Sequence, residues 1–125
     1  MMSELPKILI VEDDVSSQQY YSIILEGMFE IHIVDSVLAA KKALAKNVFV
    51  LALVDISLPG AENGIDLITY FINEFESDLP AIAITAHAFP QNRKVALEAG
   101  AVAFFTKPIL SNALIEACEE HKLSS

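Results

Sequence analysis

Short runs of apolar, often β-branched residues alternate with segments of helical periodicity along the whole sequence. This alternation is what most limits the folds that the chain can adopt. We predict five strands, which lie at about residues 7–11, 31–35, 48–54, 81–85 and 102–105. A helical segment follows each strand. Continuous apolar strands that alternate with helices are typical of a parallel sheet covered on both faces, so we predict a three-layer α/β domain.

Local signals place the helix ends and faces. Ser36 is expected to cap the second helix, and Ser111 the last one. A group of apolar residues falls outside the inward-facing stripes, which indicates either an exposed patch for a partner or imperfect patterning. This group consists of Tyr20, Ile23, Leu67 and Tyr70.

Length and composition exclude several classes of protein. The 125 residues suit one domain, and a hydrophobic content of 54% argues against disorder. The longest aliphatic run, at 48–54, is far shorter than the roughly 20 residues of a membrane helix, so we expect no membrane insertion. With 17 acidic and 8 basic residues, the net charge of −9 argues against direct binding of nucleic acid. The single cysteine, Cys118, allows no internal disulfide, and we expect a reducing, cytoplasmic location.

Charged or polar residues stand at the end of four of the predicted strands or shortly after it. Glu12 and Asp13 follow the first strand, Asp55 ends the third, Thr85 ends the fourth, and Lys107 follows the fifth. The carboxyl ends of parallel strands share one edge of the sheet, where such folds bind ligands. Crowded carboxylates favour a hard cation such as Mg²⁺, and a nearby ammonium suits a phosphoryl group. An aspartate at such a site can itself become the aspartyl phosphate.

Four motifs in this order resemble those of the response-regulator receiver domain of two-component signalling. They are Glu12-Asp13-Asp14, Val54-Asp55-Ile56-Ser57-Leu58-Pro59-Gly60, Ile84-Thr85-Ala86 and Phe104-Phe105-Thr106-Lys107-Pro108. The resemblance implies a flavodoxin-like (βα)5 fold with five parallel strands in the order 2-1-3-4-5 and helices on both faces. We expect a single receiver domain over residues 1–125, with its core at about 6–122 and no output domain. Such a chain either acts alone by binding partners or is part of a larger protein.

The resemblance implies a metal-assisted phosphoacceptor. Asp55 is expected to accept the phosphoryl group, and Asp13 and Asp55 to bind Mg²⁺ directly, with Mn²⁺ as an alternative. Glu12 is expected to act through water, and the backbone carbonyl of Ser57 to be the third protein ligand.

The resemblance also implies a switch. Lys107 is expected to pair first with Asp55 and then with the phosphoryl group. Thr85 is expected to move toward the phosphoryl group while Phe104 turns inward behind it, which couples the site to the face formed by the fourth helix, fifth strand and fifth helix. His87 occupies the position that tunes dephosphorylation in this family.

Three positions depart from the commonest family pattern. The loop at 60–63 is one residue longer, Phe104 replaces a frequent tyrosine, and Val15 replaces a frequent proline. None of these changes removes a member of the acidic set. A switch at Phe104 would have to act by packing alone, since phenylalanine has no hydroxyl.

The function implied is that of a signalling domain, with no catalysis beyond self-catalysed phosphotransfer and autodephosphorylation. The expected partners are a sensor histidine kinase or histidine phosphotransfer protein, and a downstream effector protein. One alternative is a degenerate receiver that serves only for docking, which the intact site residues disfavour. A Mg²⁺-dependent phosphohydrolase would need an acid two residues after Asp55, where Ser57 stands. A flavin-binding domain would need a phosphate loop where Glu12-Asp13-Asp14 would repel phosphate.

Five of the site residues also have a purely structural interpretation, whereas Asp55 has few, because a charge at the end of an apolar strand needs partners. Asp13 could be only a helix N-cap, and Lys107 only a surface residue before a proline. Thr85 could be a strand former, Phe104 a core residue, and His87 a loop residue in contact with water.

Overall fold

A computed structural model describes residues 5–57, 63–73, 78–86 and 90–123, without the side chains of residues 72 and 73. The five strands are β1 (Lys7–Val11), β2 (Glu30–Val34), β3 (Leu51–Asp55), β4 (Ala81–Thr85) and β5 (Ala103–Thr106). The five helices are α1 (Val15–Leu25), α2 (Val37–Lys46), α3 (Gly64–Asn73), α4 (Pro90–Ala99) and α5 (Ser111–His121). None of these described helices has both the length and the apolar character needed to cross a bilayer.

The strands form one parallel sheet in the order β2-β1-β3-β4-β5. The predicted strand order and parallel sheet are therefore confirmed. The order changes direction around β1, which pairs with β2 on one side and with β3 on the other. Because Val11 is in register with Val54, the residues that follow β1 and the last residue of β3 come together at one edge.

Each face of the sheet carries its own apolar core. Successive side chains of a strand point to opposite faces, so Leu9 and Ile10 enter different clusters. Helices α2, α3 and α4 contribute buried residues to the cluster that contains Leu9. Helices α1 and α5 contribute to the cluster that contains Ile10. All residues of β3 and β4 are buried, which confirms the interpretation of their apolar runs.

Several predicted element ends differ from the structure by a few residues. Strand β3 begins at Leu51, because Val48 is 85% exposed and lies outside the sheet. Helix α1 ends at Leu25, where the chain turns through Gly27 at a φ of 83°. The cap predicted at Ser36 is confirmed, since its hydroxyl accepts from the Ala39 N–H at 3.1 Å. The cap predicted at Ser111 is wrong.

Helix α5 has Leu110 at its N-cap position, with no side-chain hydrogen bond to the helix. Ser111 is instead the first helical residue. Of the apolar residues outside the predicted inward stripes, Ile23 is exposed but Leu67 is fully buried, which favours imperfect patterning at Leu67 over an exposed patch. The predicted loop at 60–62 and His87 lie outside the described residues.

Two leucines of helix α2 allow the core to be tested. Leu44 is 4% exposed in the cluster that contains Leu9, whereas Leu38 is 65% exposed on the same helix. We expect Leu44→Ala to lower the free energy of unfolding by about 2–5 kcal/mol, because it leaves a cavity. The control Leu38→Ala should stay within about 0.5 kcal/mol of the wild type. Urea denaturation followed by circular dichroism measures both, and equal effects would contradict this assignment of the core.

Candidate functional site

Four polar side chains converge at the carboxyl edge of the sheet. Glu12 follows β1, Asp55 ends β3, Thr85 ends β4, and Lys107 follows β5. Glu12, Asp55 and Thr85 are 1%, 6% and 0% exposed, although nearly all other buried side chains of the described residues are apolar. Buried polar groups are costly unless they find partners, so this cluster must be internally satisfied or must hold a ligand.

A single ammonium group pairs with two of the buried carboxylates. The Nζ atom of Lys107 lies 2.7 Å from Oε1 of Glu12 and 3.1 Å from Oδ2 of Asp55. Burial works against the charge on Lys107, but the two carboxylates outweigh it and raise the pKa of the ammonium group. Lys107 is therefore fixed as a cation beside Asp55.

Glu12, which follows β1, is also held by a hydrogen bond to its side chain and another to its main chain. The Asp14 N–H donates to Oε2 of Glu12 at 3.1 Å, and the Gln18 side-chain amide donates to the Glu12 carbonyl at 2.7 Å. Burial raises the pKa of Glu12 to about 7, and the Asp55 carboxylate adds to this, although Lys107 and the Asp14 N–H oppose it. Sequence reasoning missed Gln18. The only available signal was a polar residue in the first turns of α1.

The helix-cap alternative for Asp13 is wrong, because Asp14 is the N-cap of α1. The Asp14 carboxylate accepts from the Ser17 N–H at 2.9 Å and from the Ser17 hydroxyl at 2.8 Å. These bonds lower the pKa of Asp14. Asp13 is exposed and is not used as a cap, which leaves its carboxylate at the site.

Glu12, Asp13 and Asp55 form an acidic cluster. One carboxylate oxygen from each lies within 4.8 Å of the others. With all three ionised, Lys107 leaves the cluster at 1 − 3 = −2 charges. Oxygen donors that carry this charge fit a hard divalent cation such as Mg²⁺.

Ser57 links Asp55 to Thr85. Its main-chain N–H donates to Oδ1 of Asp55 at 2.8 Å, and its hydroxyl lies 3.2 Å from the hydroxyl of Thr85. The two oxygens of Asp55 thus have different partners, since Oδ2 faces Lys107. The role predicted for the Ser57 carbonyl as a metal ligand stays a prediction.

Gly64, the first residue of α3, supports the backbone that carries Asp55. A Cβ atom at Gly64 would collide with the Asp55 carbonyl oxygen and would lie 2.6 Å from Cα of Ile56. Only glycine therefore permits this approach of α3 to the end of β3. Sequence reasoning did not single out Gly64. The available signal was a glycine at the end of the loop that follows Asp55.

Phe104 lies on β5 beside the site. It is half-buried, packs against the cluster that contains Leu9, and is in register with Ala83 of β4. Its predicted movement is not tested by this geometry. Like the roles of Thr85 and Lys107 in the reaction, it stays a prediction.

The sequence and the fold match a known family. The family model of the response regulator receiver domain matches residues 8–119, and the chain belongs to this family. A crystal structure of a CheY-like receiver domain protein from Methanospirillum hungatei superposes with a TM-score of 0.80 at 30% identity. The alignment covers 94% of this chain and 93% of that one. The protein is therefore a receiver domain of two-component signalling systems.

Curated relatives are longer proteins. The sensor histidine kinase GacS of Pseudomonas protegens is 30% identical over 122 residues, which are 93% of this chain and 13% of GacS. The response regulator FleR of Pseudomonas aeruginosa is 31% identical over 118 residues, which are 94% of this chain and 24% of FleR. The chain thus spans a quarter or less of the length of these relatives.

The shifted pKa of Glu12 predicts a pH dependence of stability in metal-free buffer. Glu12 has a pKa of about 7 in the folded protein and an ordinary value of 4.5, so between these values the folded state binds more protons. Stability is then greatest below the lower value and falls as the pH rises through 7. Between pH 5 and pH 8, we expect the wild type to lose about 1–3 kcal/mol more than Glu12→Gln.

Urea denaturation at several pH values in the presence of a chelator measures this difference. Glu116→Gln, on the exposed side of α5, controls for the removal of one carboxylate. Parallel pH profiles for the wild type and Glu12→Gln would show that Glu12 does not titrate as described.

Proposed function

We propose that this receiver accepts a phosphoryl group from a phosphohistidine donor onto Asp55 and thereby changes the surface that it offers to partners. The observation that supports this most directly is the buried Asp55 carboxylate held at 3.1 Å from the Lys107 ammonium group beside two further acids. A nucleophile, a fixed cation and hard oxygen donors are the parts that phosphoryl transfer requires.

In the proposed reaction, an oxygen of Asp55 attacks phosphorus, and the phosphorus–nitrogen bond of the phosphohistidine breaks. The electron pair of that bond stays on the imidazole, which takes up a proton from water. The Ser57 N–H orients the Asp55 carboxylate through Oδ1, and Lys107 offsets negative charge on the transferred group. Positioning and charge supply the catalysis, so no other protein residue needs to change its covalent state.

Mg²⁺, or Mn²⁺ in its place, would supply positive charge to the phosphoryl oxygens when bound. Asp13 and Asp55 are its proposed direct ligands, with Glu12 acting through water and the Ser57 carbonyl as the third protein ligand. The charge of the acidic cluster supports this assignment. Lys107 pairs with the carboxylates of Glu12 and Asp55, and its positive charge opposes the rise that burial causes in the pKa of Glu12.

The response to phosphorylation is proposed to pass through β4 and β5. The Thr85 hydroxyl would donate to a phosphoryl oxygen, and Phe104 would turn inward on the neighbouring strand. Because Thr85 is in register with Thr106, a shift at the end of β4 acts directly on the residue before Lys107. His87 is proposed to influence the return reaction, in which water attacks the phosphorus atom and frees Asp55.

The partners proposed are a sensor histidine kinase or a histidine phosphotransfer protein as donor, and a protein effector. A phosphohydrolase is disfavoured by Ser57, because its side chain is a hydroxyl in contact with Thr85 and not a free acid. A docking-only receiver is disfavoured by the retained ion pairs of Lys107.

Intact mass spectrometry after incubation with acetyl phosphate tests the phosphoacceptor. We expect one phosphoryl adduct on the wild type in the presence of Mg²⁺ and none after chelation of the metal. Asp55→Asn should abolish the adduct, because an amide cannot form the acyl phosphate. The matched control Asp35→Asn, at an exposed aspartate after β2, should keep it.

A folded wild type that gives no adduct, even with a phosphorylated histidine phosphotransfer donor, would refute the proposal. An adduct that persists in Asp55→Asn would refute Asp55 as the acceptor.

A further inference from the structure

The Ser57 side chain is in contact with the residue proposed to move on phosphorylation. Its hydroxyl oxygen lies 3.2 Å from the hydroxyl oxygen of Thr85, which is fully buried. Through its main chain, the same residue also donates to Oδ1 of Asp55 at 2.8 Å. Ser57 is therefore bonded at once to the proposed acceptor and to the proposed switch residue.

The two contacts of Ser57 differ in what phosphorylation would do to them. The contact to Asp55 uses the backbone and is independent of the side chain. The contact to Thr85 joins two hydroxyl groups, either of which can be the donor, and it exists only while the two oxygen atoms stay close together. When Thr85 moves toward a phosphoryl oxygen, as proposed, its hydroxyl moves away from that of Ser57 and the contact lengthens or breaks. The resting position of Thr85 is thus stabilised by a bond that the active position lacks.

We propose that Ser57 is a positioning residue whose hydroxyl holds Thr85 in the resting orientation and so sets how readily the domain switches. This inference rests on the proposed function, since it takes Asp55 as the phosphoryl acceptor. It concerns the Ser57 hydroxyl alone, which is separate from the carbonyl proposed as a metal ligand.

The expected size of the effect follows from one hydrogen bond. A net hydrogen bond biases an equilibrium by about two- to tenfold. A bond present only in the resting state weakens, by that factor, the binding of any ligand that requires the active state. Removal of the Ser57 hydroxyl is therefore expected to tighten the binding of a phosphoryl mimic.

The test uses beryllofluoride with Mg²⁺ as the phosphoryl mimic, and its affinity is measured by isothermal titration calorimetry. We expect Ser57→Ala to bind it about two- to tenfold more tightly than the wild type. Ser57→Thr, which keeps a hydroxyl, should restore the wild-type affinity. Ser22→Ala is the matched control, because it removes a serine hydroxyl that bonds only within α1, to the Gln18 carbonyl at 2.8 Å.

A double-mutant cycle with Thr85→Val separates positioning from other roles. Thr85→Val should itself bind more weakly, since it lacks the hydroxyl that would contact the phosphoryl group. In that background, Ser57→Ala should have no further effect, because its partner is already gone. An effect of full size in the Thr85→Val background would overturn the inference, since Ser57 would then act directly on the bound group.

Other outcomes are equally decisive. Unchanged affinity in Ser57→Ala, with circular dichroism that shows a folded protein, would also overturn the inference. Should Ser57→Ala not fold, Ser57→Gly provides a second variant without the hydroxyl, for which the same tightening is expected. A wild type that binds no beryllofluoride would instead refute the proposed function, so the two failures are distinguishable.

Discussion

The site depends on the burial of negative charge at the carboxyl edge of a sheet whose interior is otherwise apolar. Glu12 and Asp55 are almost completely removed from water, and one ammonium group, that of Lys107, neutralises part of their charge. Such an arrangement is costly unless further positive charge or protons arrive. The raised pKa of Glu12 is the consequence in the protein without metal. The same excess of negative charge fits a hard divalent cation, on which the proposed phosphoryl chemistry depends.

The parallel topology connects this charged edge to the rest of the domain. Because β1, β3, β4 and β5 end at the same edge, Asp55 and Thr85 are connected through one intermediate residue, Ser57. Thr85 in turn is in register with Thr106 on the edge strand β5. Phe104 lies two residues earlier on that strand and packs on the cluster beneath α4. A short series of contacts therefore leads from the acceptor to the surface proposed to bind partners.

The alternation of strands with helices and the convergence of the charged residues could be predicted because both follow from short-range patterns in the sequence. The strand order was implied by the resemblance to receiver domains. Val48 was wrongly placed in β3, since apolar composition does not reveal where pairing begins. Leu67 was wrongly left outside the core, because periodicity alone does not fix how wide a face of α3 is buried. The use of Asp14 as the cap and the contact from Ser57 to Thr85 depend on three-dimensional placement, which spacing alone does not give.

The central claim is that Asp55, and no other carboxylate of the acidic cluster, becomes the acyl phosphate. The most direct measurement is borohydride reduction of the phosphorylated protein, followed by peptide sequencing in a mass spectrometer, because reduction converts an aspartyl phosphate into homoserine. We expect homoserine at position 55 and aspartate at position 13. Homoserine at position 13, or in place of an aspartate outside the cluster, would contradict this assignment.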